Sequence, residues 1–270
     1  GEILPDFSHP HTRITELLTH TSGIEWWMPF YESVDRSLSW QQRRQWLYTQ
    51  LQAAPCSGTG RAVYSDLGFM LLGFVLERLY RKNLQEIWLG HHASAYPGSS
   101  LAFHVDNHAP HPAQQYAPTE WCSWRHLRLQ GQVHDDNTWA LGGISTHAGL
   151  FGSIDDLAAY GLLLRAQLRA LDGARVRQAT AQLFAQRAIT PEAGDWALGF
   201  MLPSTQGASC GRHFSPRSIG HTGFTGTSLW YDPERDLLVA ILSNRVHGGR
   251  DNKAFLALRP QIHDWVVESL

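Results

Sequence analysis

The chain has 270 residues, 43% of them apolar and 17% charged, a composition typical of a globular protein long enough to bury a full core. A formal net charge of −2 and a pI near 6.8 give nucleic acid or an anionic membrane surface nothing to attract, and no apolar run reaches the roughly 20 residues of a bilayer-spanning helix. Three widely spaced cysteines, Cys56, Cys122 and Cys210, form no metal or redox motif and allow at most one disulfide, so the redox compartment stays undecided.

Ile14, Leu17 and Leu18 share one face of a short helix within 12–20, and Thr21-Ser22-Gly23 follows with the glycine expected just past the helix end. Ser39-Trp40-Gln41-Gln42 is a capping box opening a helix to about Leu51. After a loop over 55–60, Tyr64-Ser65-Asp66 precedes Leu67, Met70, Leu71, Phe74 and Leu79 at helical spacing, with Ser65 or Asp66 as the N-cap. Between residue 90 and about 130 the pattern dissolves into His, Pro, Ser and Asn, which reads as long loops forming a lid or lobe. Residues 131–152 are glycine-rich and contain His134-Asp135-Asp136-Asn137. Ser153 to Asp156 then caps a helix running to about Leu171, with Leu157, Tyr160, Leu164 and Leu168 inward.

Residues 196–202 read as a strand. The runs 220–231 and 237–244 flank the polar turn Asp232 to Asp236 and predict an antiparallel hairpin, its second run apolar enough for burial on both faces. Glycines on both sides of His221-Thr222 let another backbone or a ligand approach closely. The last segment carries Phe255, Leu258, Ile262, Trp265, Val266 and Leu270 along one stripe, with Pro260 either kinking the helix or opening it. Helices followed by a strand meander and a closing helix make an α+β domain with an antiparallel sheet. Eleven tryptophans suggest a large aromatic core or an aromatic-lined cleft.

Two stretches carry chemistry. Tyr64-Ser65-Asp66 at a helix mouth offers a hydroxyl relay, and His221-Thr222-Gly223 on a strand offers a hydrogen-bonding side chain beside open backbone. Acyl transfer needs such groups, a nucleophile and oxyanion donors in one cleft. Together they resemble the Tyr-Ser-Asn and Lys-Thr-Gly motifs of the class C β-lactamase and penicillin-binding-protein serine hydrolases, in which His-Thr-Gly is a common variant. Ile14 to Ile24, with Leu-Leu-Thr-His-Thr-Ser-Gly, is similar to that family's turn. Residues 131–137, Leu141-Gly142-Gly143 and His147 to Phe151 resemble its penicillin-binding-protein 4B-like branch.

The resemblance implies a single domain over 1–270 with a β-lactamase/transpeptidase-like fold, a helical lobe at about 12–190 and the sheet with its closing helix at about 191–270. It implies Tyr64 as general base, His221 orienting that base, and the Phe224 N–H as half of an oxyanion hole. Ser65, Asp66, Thr222, Gly223, His134, Asn137 and His147 would contact substrate. No metal or cofactor is implied, and the substrate would be a small molecule or a peptidoglycan-like compound.

The chain departs from the family in three ways. No serine has Lys three residues later, so the nucleophile segment and first strands are expected outside these residues as a complementing N-terminal segment. The start at Gly1 rather than Met leaves room for such a segment or a removed leader. Asp66 replaces Asn and, when ionised, only accepts hydrogen bonds; His221 replaces Lys without a guaranteed charge. The implied function is hydrolysis of an ester, amide or D-alanyl peptide through an acyl-enzyme, in the bacterial cell envelope. The alternative is an inactive relative that binds a peptidoglycan-like ligand or a protein.

Other signals are weaker. His104, His108 and His111 have spacing a zinc site could use on a helix, but the Pro and Asn around them favour a solvated loop. His134, Asp135 and Asn137 could line the cleft or simply fix a loop. Ser22 satisfies backbone groups in its turn, and Arg245 and Arg250 default to the surface.

Overall fold

The computed structural model describes residues 2–58, 60–95 and 98–270, and the side chains of 92–95 lie outside that description, as do Gly1 and, within the expected loop, Thr59. In chain order the helices are α1 (Ile14–Leu18), α2 (Phe30–Ser33), α3 (Trp40–Gln52), α4 (Asp66–Tyr80), α5 (Leu84–Ala95), α6 (Asp136–Ala140), α7 (Ile154–Arg169), α8 (Gln178–Ala185) and α9 (Ala254–Glu268). The strands are β1 (Ala102–Phe103), β2 (Trp121–Cys122), β3 (Leu127–Arg128), β4 (Leu150–Phe151), β5 (Ile219–Thr222), β6 (Ser228–Asp232) and β7 (Leu237–Ile241). Residues 1–116 with 130–151 form one compact unit, and 117–129 with 152–270 form a second. No helix among the described residues is long and apolar enough to cross a membrane, and all three cysteines are free.

The first unit is built on α3 and α4. Leu47 and Leu51 of α3 and Leu67, Met70 and Leu71 of α4 are almost wholly buried with Leu17 of α1 and Leu141. Each such side chain contributes about 1.5–3 kcal/mol of apolar burial. The caps set the registers: Ser39 and Gln42 close their box on each other, and the Ser65 hydroxyl accepts from Gly68 N–H, which settles the α4 N-cap on Ser65. Leu79, in the same expected stripe, is 58% exposed near the end of α4.

The end of α1 differs from expectation. His20, not Gly23, takes the left-handed conformation after the helix, with φ 59°. Gly23, also at positive φ, is where backbone meets backbone, and a Cβ there would sit 2.7 Å from Gly58 Cα. Helix α5 overruns the segment read as loop from residue 90. Its start is a capping box in which Asn83 Oδ1 accepts from Glu86 N–H and the Glu86 carboxylate accepts from Asn83 N–H. His104 is not solvated: it is buried, hydrogen-bonds the Gly131 carbonyl through Nδ1 at 2.7 Å and stacks on Phe151, while His108 and His111 are exposed. An Ala at Gly143 would drive a Cβ to 2.2 Å from the His104 carbonyl oxygen, so this approach requires glycine.

The second unit holds an antiparallel sheet in the order β5-β6-β7. The run read as one strand from Gly220 is two. Gly223 N–H donates to the Thr227 carbonyl at 2.7 Å and turns the chain, so β5 and β6 make a hairpin of their own before the expected turn into β7. Only Val239 of β7 is fully buried, but none of its residues is exposed: Leu237, Val239 and Ile241 pack towards Phe214 and Trp230 while Leu238 meets α7, so the reading of burial on both faces holds in part. Helix α7 packs on β7 where Gly161 leaves room for Leu238; its Ser153–Asp156 capping box is present, although Tyr160 is exposed. Residues 196–202 make only single bridges, Trp196 with Met201 and Met201 with Gly220, rather than a strand.

Helix α9 keeps only part of its expected face: Val266 packs on the core and Phe255 and Ile262 are half-buried. Arg259, His263 and Asp264 point inward while Leu258, Trp265 and Leu270 are exposed. The Asp264 carboxylate accepts from Arg212 N–H and Nε–H, and the His263 ring meets Phe214 edge-on, so a polar anchor fixes the rotation of the helix. Pro260 lies inside the helix.

The turn after β6 hangs on Asp232, whose side chain is wholly buried and accepts from Ser215 N–H and Oγ, from Glu234 and Arg235 N–H, and from the Arg235 guanidinium. Asp232→Ala strands these donors, and we expect about 3–4 kcal/mol of destabilisation. Urea unfolding measures it; a loss under 1 kcal/mol would show that the turn holds without its anchor.

Candidate functional site

In the first unit, the Thr-His-Thr-Ser-Gly turn after α1 and the mouth of α4 are stitched together. Ser65 N–H donates to His20 Nδ1 at 3.0 Å, Asp66 N–H to the Trp26 carbonyl, and the Ser65 hydroxyl to the Glu25 carbonyl. The His20 ring stacks on Phe69 and lies 4.6 Å from the Tyr64 ring. Ser65 is thereby buried as a structural cap, while Tyr64 remains 49% exposed beside it.

Tyr64 and Asp66 share their surroundings with Asp135 and His147. Asp66, Asp135 and His147 each bring one potential ligand atom within 4.8 Å of the others. His147 Nε2 lies 3.2 Å from Asp135 Oδ1, and its Nδ1 lies 2.8 Å from Ser145 Oγ. Asp135 also caps α6, accepting from Thr138 N–H at 2.7 Å. Asp135 thus fixes a loop and faces the cluster, uniting the two readings of the sequence. The His147 side chain is 4% exposed and that of Asp135 25%.

Burial opposes a charge on His147, but the Asp135 carboxylate and its hydrogen bond, helped by Asp66, raise the imidazole above its ordinary pKa. Burial likewise disfavours ionised Asp135, yet the His147 charge and the hydrogen bonds from His147 and Thr138 hold it well below the carboxylate range. Both shifts favour the imidazolium–carboxylate form of the pair.

Asp66 is raised, chiefly by burial and also by Asp135, with His147 pulling the other way. Among the described residues its carboxylate receives no hydrogen bond. The Tyr64 hydroxyl is pushed up to about 12 by burial and by the Asp66 and Asp135 charges, a shift that water moderates at this half-exposed residue.

Asn137, expected at the substrate, spends its amide on backbone: Nδ2 donates to the Met28 carbonyl and Oδ1 accepts from Tyr31 N–H. His134 is half-buried in the loop before α6. The sequence reading did not single out His20 or Ser145. The signal for His20 lay in its place before Thr-Ser-Gly, but nothing in Ser145 two residues before His147 marks it as a ring partner.

In the second unit, His221 sits on β5, made possible by Gly220, where a Cβ would strike the Leu229 carbonyl and the Trp230 ring. Its Nδ1–H donates to the Thr222 carbonyl at 3.0 Å, and burial, weakly opposed by that bond, lowers its pKa. His221 is thus a neutral imidazole, unlike the lysine of the resembled motif. The Thr222 hydroxyl faces Met201 Sδ at 3.9 Å. Phe224 is 57% exposed, and Arg245, expected at the surface, fixes it by donating from Nε to its carbonyl and laying the guanidinium over its ring. Arg250 is also engaged, with the buried Glu120.

The chain matches the family model described as Beta-lactamase over residues 2–261. It is 32% identical to an N-acetylmuramyl-L-alanine amidase of Bacillus subtilis across 87% of this chain and 56% of that protein. It is 27% identical to a Salmonella gallinarum protein with the proposed name D-alanyl-D-alanine carboxypeptidase, across 96% of this chain and 64% of that one. The chain thus spans between half and two thirds of the length of these relatives. In fold it is similar to a penicillin binding protein of Bacillus halodurans, with TM-score 0.63, 17% identity and coverage of 96% of this chain and 73% of that one. It is also similar to the hydrolase EstCE1, with TM-score 0.59, 19% identity and coverage of 92% and 71%. A match that takes in both units, the turn after α1, the α4 mouth and the β5 motif places the chain in the beta-lactamase family, with the β-lactamase-like α+β fold.

Proposed function

We propose that residues 1–270 are the larger part of a single-domain serine hydrolase that cleaves an ester, amide or D-alanyl peptide through an acyl-enzyme, with its nucleophile supplied by a complementing segment. The observation that carries this reading is Tyr64 standing half-exposed at the mouth of α4 among ionisable groups, in a chain whose family match extends over nearly its whole length. In the first unit Tyr64 serves as the general base, Asp66, His134 and His147 contact substrate, and Ser65 and Asn137 support that site from behind. In the second unit the family roles fall to His221, Thr222 and Gly223 as motif residues and to Phe224 N–H as an oxyanion contact. The relatives' names favour a peptidoglycan-like substrate.

A fluorophosphonate or penicillin probe on the naturally produced polypeptide tests this. The expected result is covalent labelling of a serine followed three residues later by lysine, outside residues 1–270. A verified full-length product that stays unlabelled would instead support an inactive, ligand-binding relative, since losing the nucleophile of a serine enzyme leaves only residual catalysis.

A further inference from the structure

The His147–Asp135 pair is internally satisfied. The His147 ring bonds Ser145 Oγ through Nδ1 and the Asp135 carboxylate through Nε2, and that carboxylate in turn caps α6. Asp66 beside it is not. Its carboxylate lies within 4.8 Å of the pair's ligand atoms but accepts no hydrogen bond among the described residues. Two carboxyl groups face one imidazole here, so when both are ionised the group has room for one more positive charge. Asp66 is partly exposed and its charge acts on the Tyr64 hydroxyl, so a molecule reaching that hydroxyl comes into the field of this carboxylate. An ionised carboxylate only accepts hydrogen bonds, and a charged donor in a partly dry site makes the strongest bond to it.

We propose that Asp66 is a specificity-determining residue that selects acyl groups bearing a free ammonium, such as an unacylated amino acid residue, over their N-acylated counterparts. An N-acyl group presents a carbonyl oxygen to an acceptor that has no proton to give, and removes the positive charge that would balance the cluster. The proposal rests on the hydrolase reading for its kinetic consequence, but the binding preference stands apart from it.

The test compares the thiophenyl esters of D-alanine and N-acetyl-D-alanine on the full-length polypeptide. We expect kcat/KM to favour the free amine by about tenfold or more, and Asp66→Asn to collapse or invert that ratio. Because both esters are read on the same protein, any loss of folded material cancels. A wild-type preference for the N-acetyl ester, or a ratio unmoved by Asp66→Asn, overturns the proposal.

In parallel, calorimetry compares D-alaninamide with N-acetyl-D-alaninamide. If neither ester is turned over and no serine is labelled, the hydrolase reading fails, and calorimetry alone decides on Asp66. Tighter binding of the amine that vanishes in Asp66→Asn supports it; equal binding, or none of either, overturns it.

Discussion

Asp135→Asn should destabilise the first unit by about 3 kcal/mol near pH 5.5 and by much less at pH 9. Removing one partner of a buried ion pair leaves the other charge uncompensated, which costs about 3–5 kcal/mol in a fully dry site and less where a partner keeps some exposure, as the Asp135 side chain does at 25%. The pH dependence follows from linkage. The pKa of His147 is raised above its ordinary 6.5, so its contribution is fully present below that value and is lost as pH rises through its folded-state pKa. Asp135 is depressed below its ordinary 3.8, so its contribution is present above that value and is lost as pH falls through its folded-state pKa. The pair therefore stabilises most between about pH 4 and 6.5. Asp66, raised above 3.8, has the opposite sense: its contribution is present below 3.8 and is lost as pH rises through its folded-state pKa. Urea midpoints of wild type and Asp135→Asn at the two pH values measure the effect, and His147→Gln should be non-additive with Asp135→Asn because the two groups share one interaction. A gap that stays constant or widens at pH 9 would mean that the imidazole is neutral in the folded protein.

That pair also marks where the sequence stopped being readable. The caps at Ser39, Ser65 and Ser153 are local events, set by a side chain and the N–H three residues on, so short windows disclosed them. Asn83-Leu-Gln-Glu86 is an equally local box, in a stretch between the α4 reading and residue 90 to which the sequence reading assigned no element. The outcome for α9 had a different origin. Its apolar stripe is genuine, but Arg212 and Phe214 reach it from about 50 residues away and fix Asp264 and His263 inward, and no pattern inside the helix records that.

In the candidate site, the motifs at Tyr64 and His221 were visible as words, and their chemistry was not. Asn137 turned out to spend its amide on the Met28 and Tyr31 backbone. Burial lowers the pKa of His221 against the opposing pull of its bond to its own neighbour's carbonyl. Each depends on what surrounds the side chain in space, which residue type alone does not specify.

In the nucleophile-bearing polypeptide, Tyr64→Phe should lower the rate of acylation by about 10²–10⁴ while leaving stability within about 1 kcal/mol of wild type. The ring that packs beside His20 is retained and only the hydroxyl goes, so a loss of rate without a loss of fold isolates the proton-transfer role. Burial and the Asp66 and Asp135 charges push this hydroxyl to about 12, opposite to what a base at neutral pH requires. Tyr64 therefore works as a base only where a cation offsets those carboxylates, and the wild-type rate should still be rising with pH above 8. Asp66→Asn removes one of the two charges that raise Tyr64, so the rising limb should move to lower pH, whatever its effect on substrate preference. Acylation timed with a fluorophosphonate across pH 6–10 reads both variants. If Tyr64→Phe keeps more than about a tenth of the wild-type rate, or if the limb stays in place in Asp66→Asn, the base lies elsewhere and the carboxylates do not govern it.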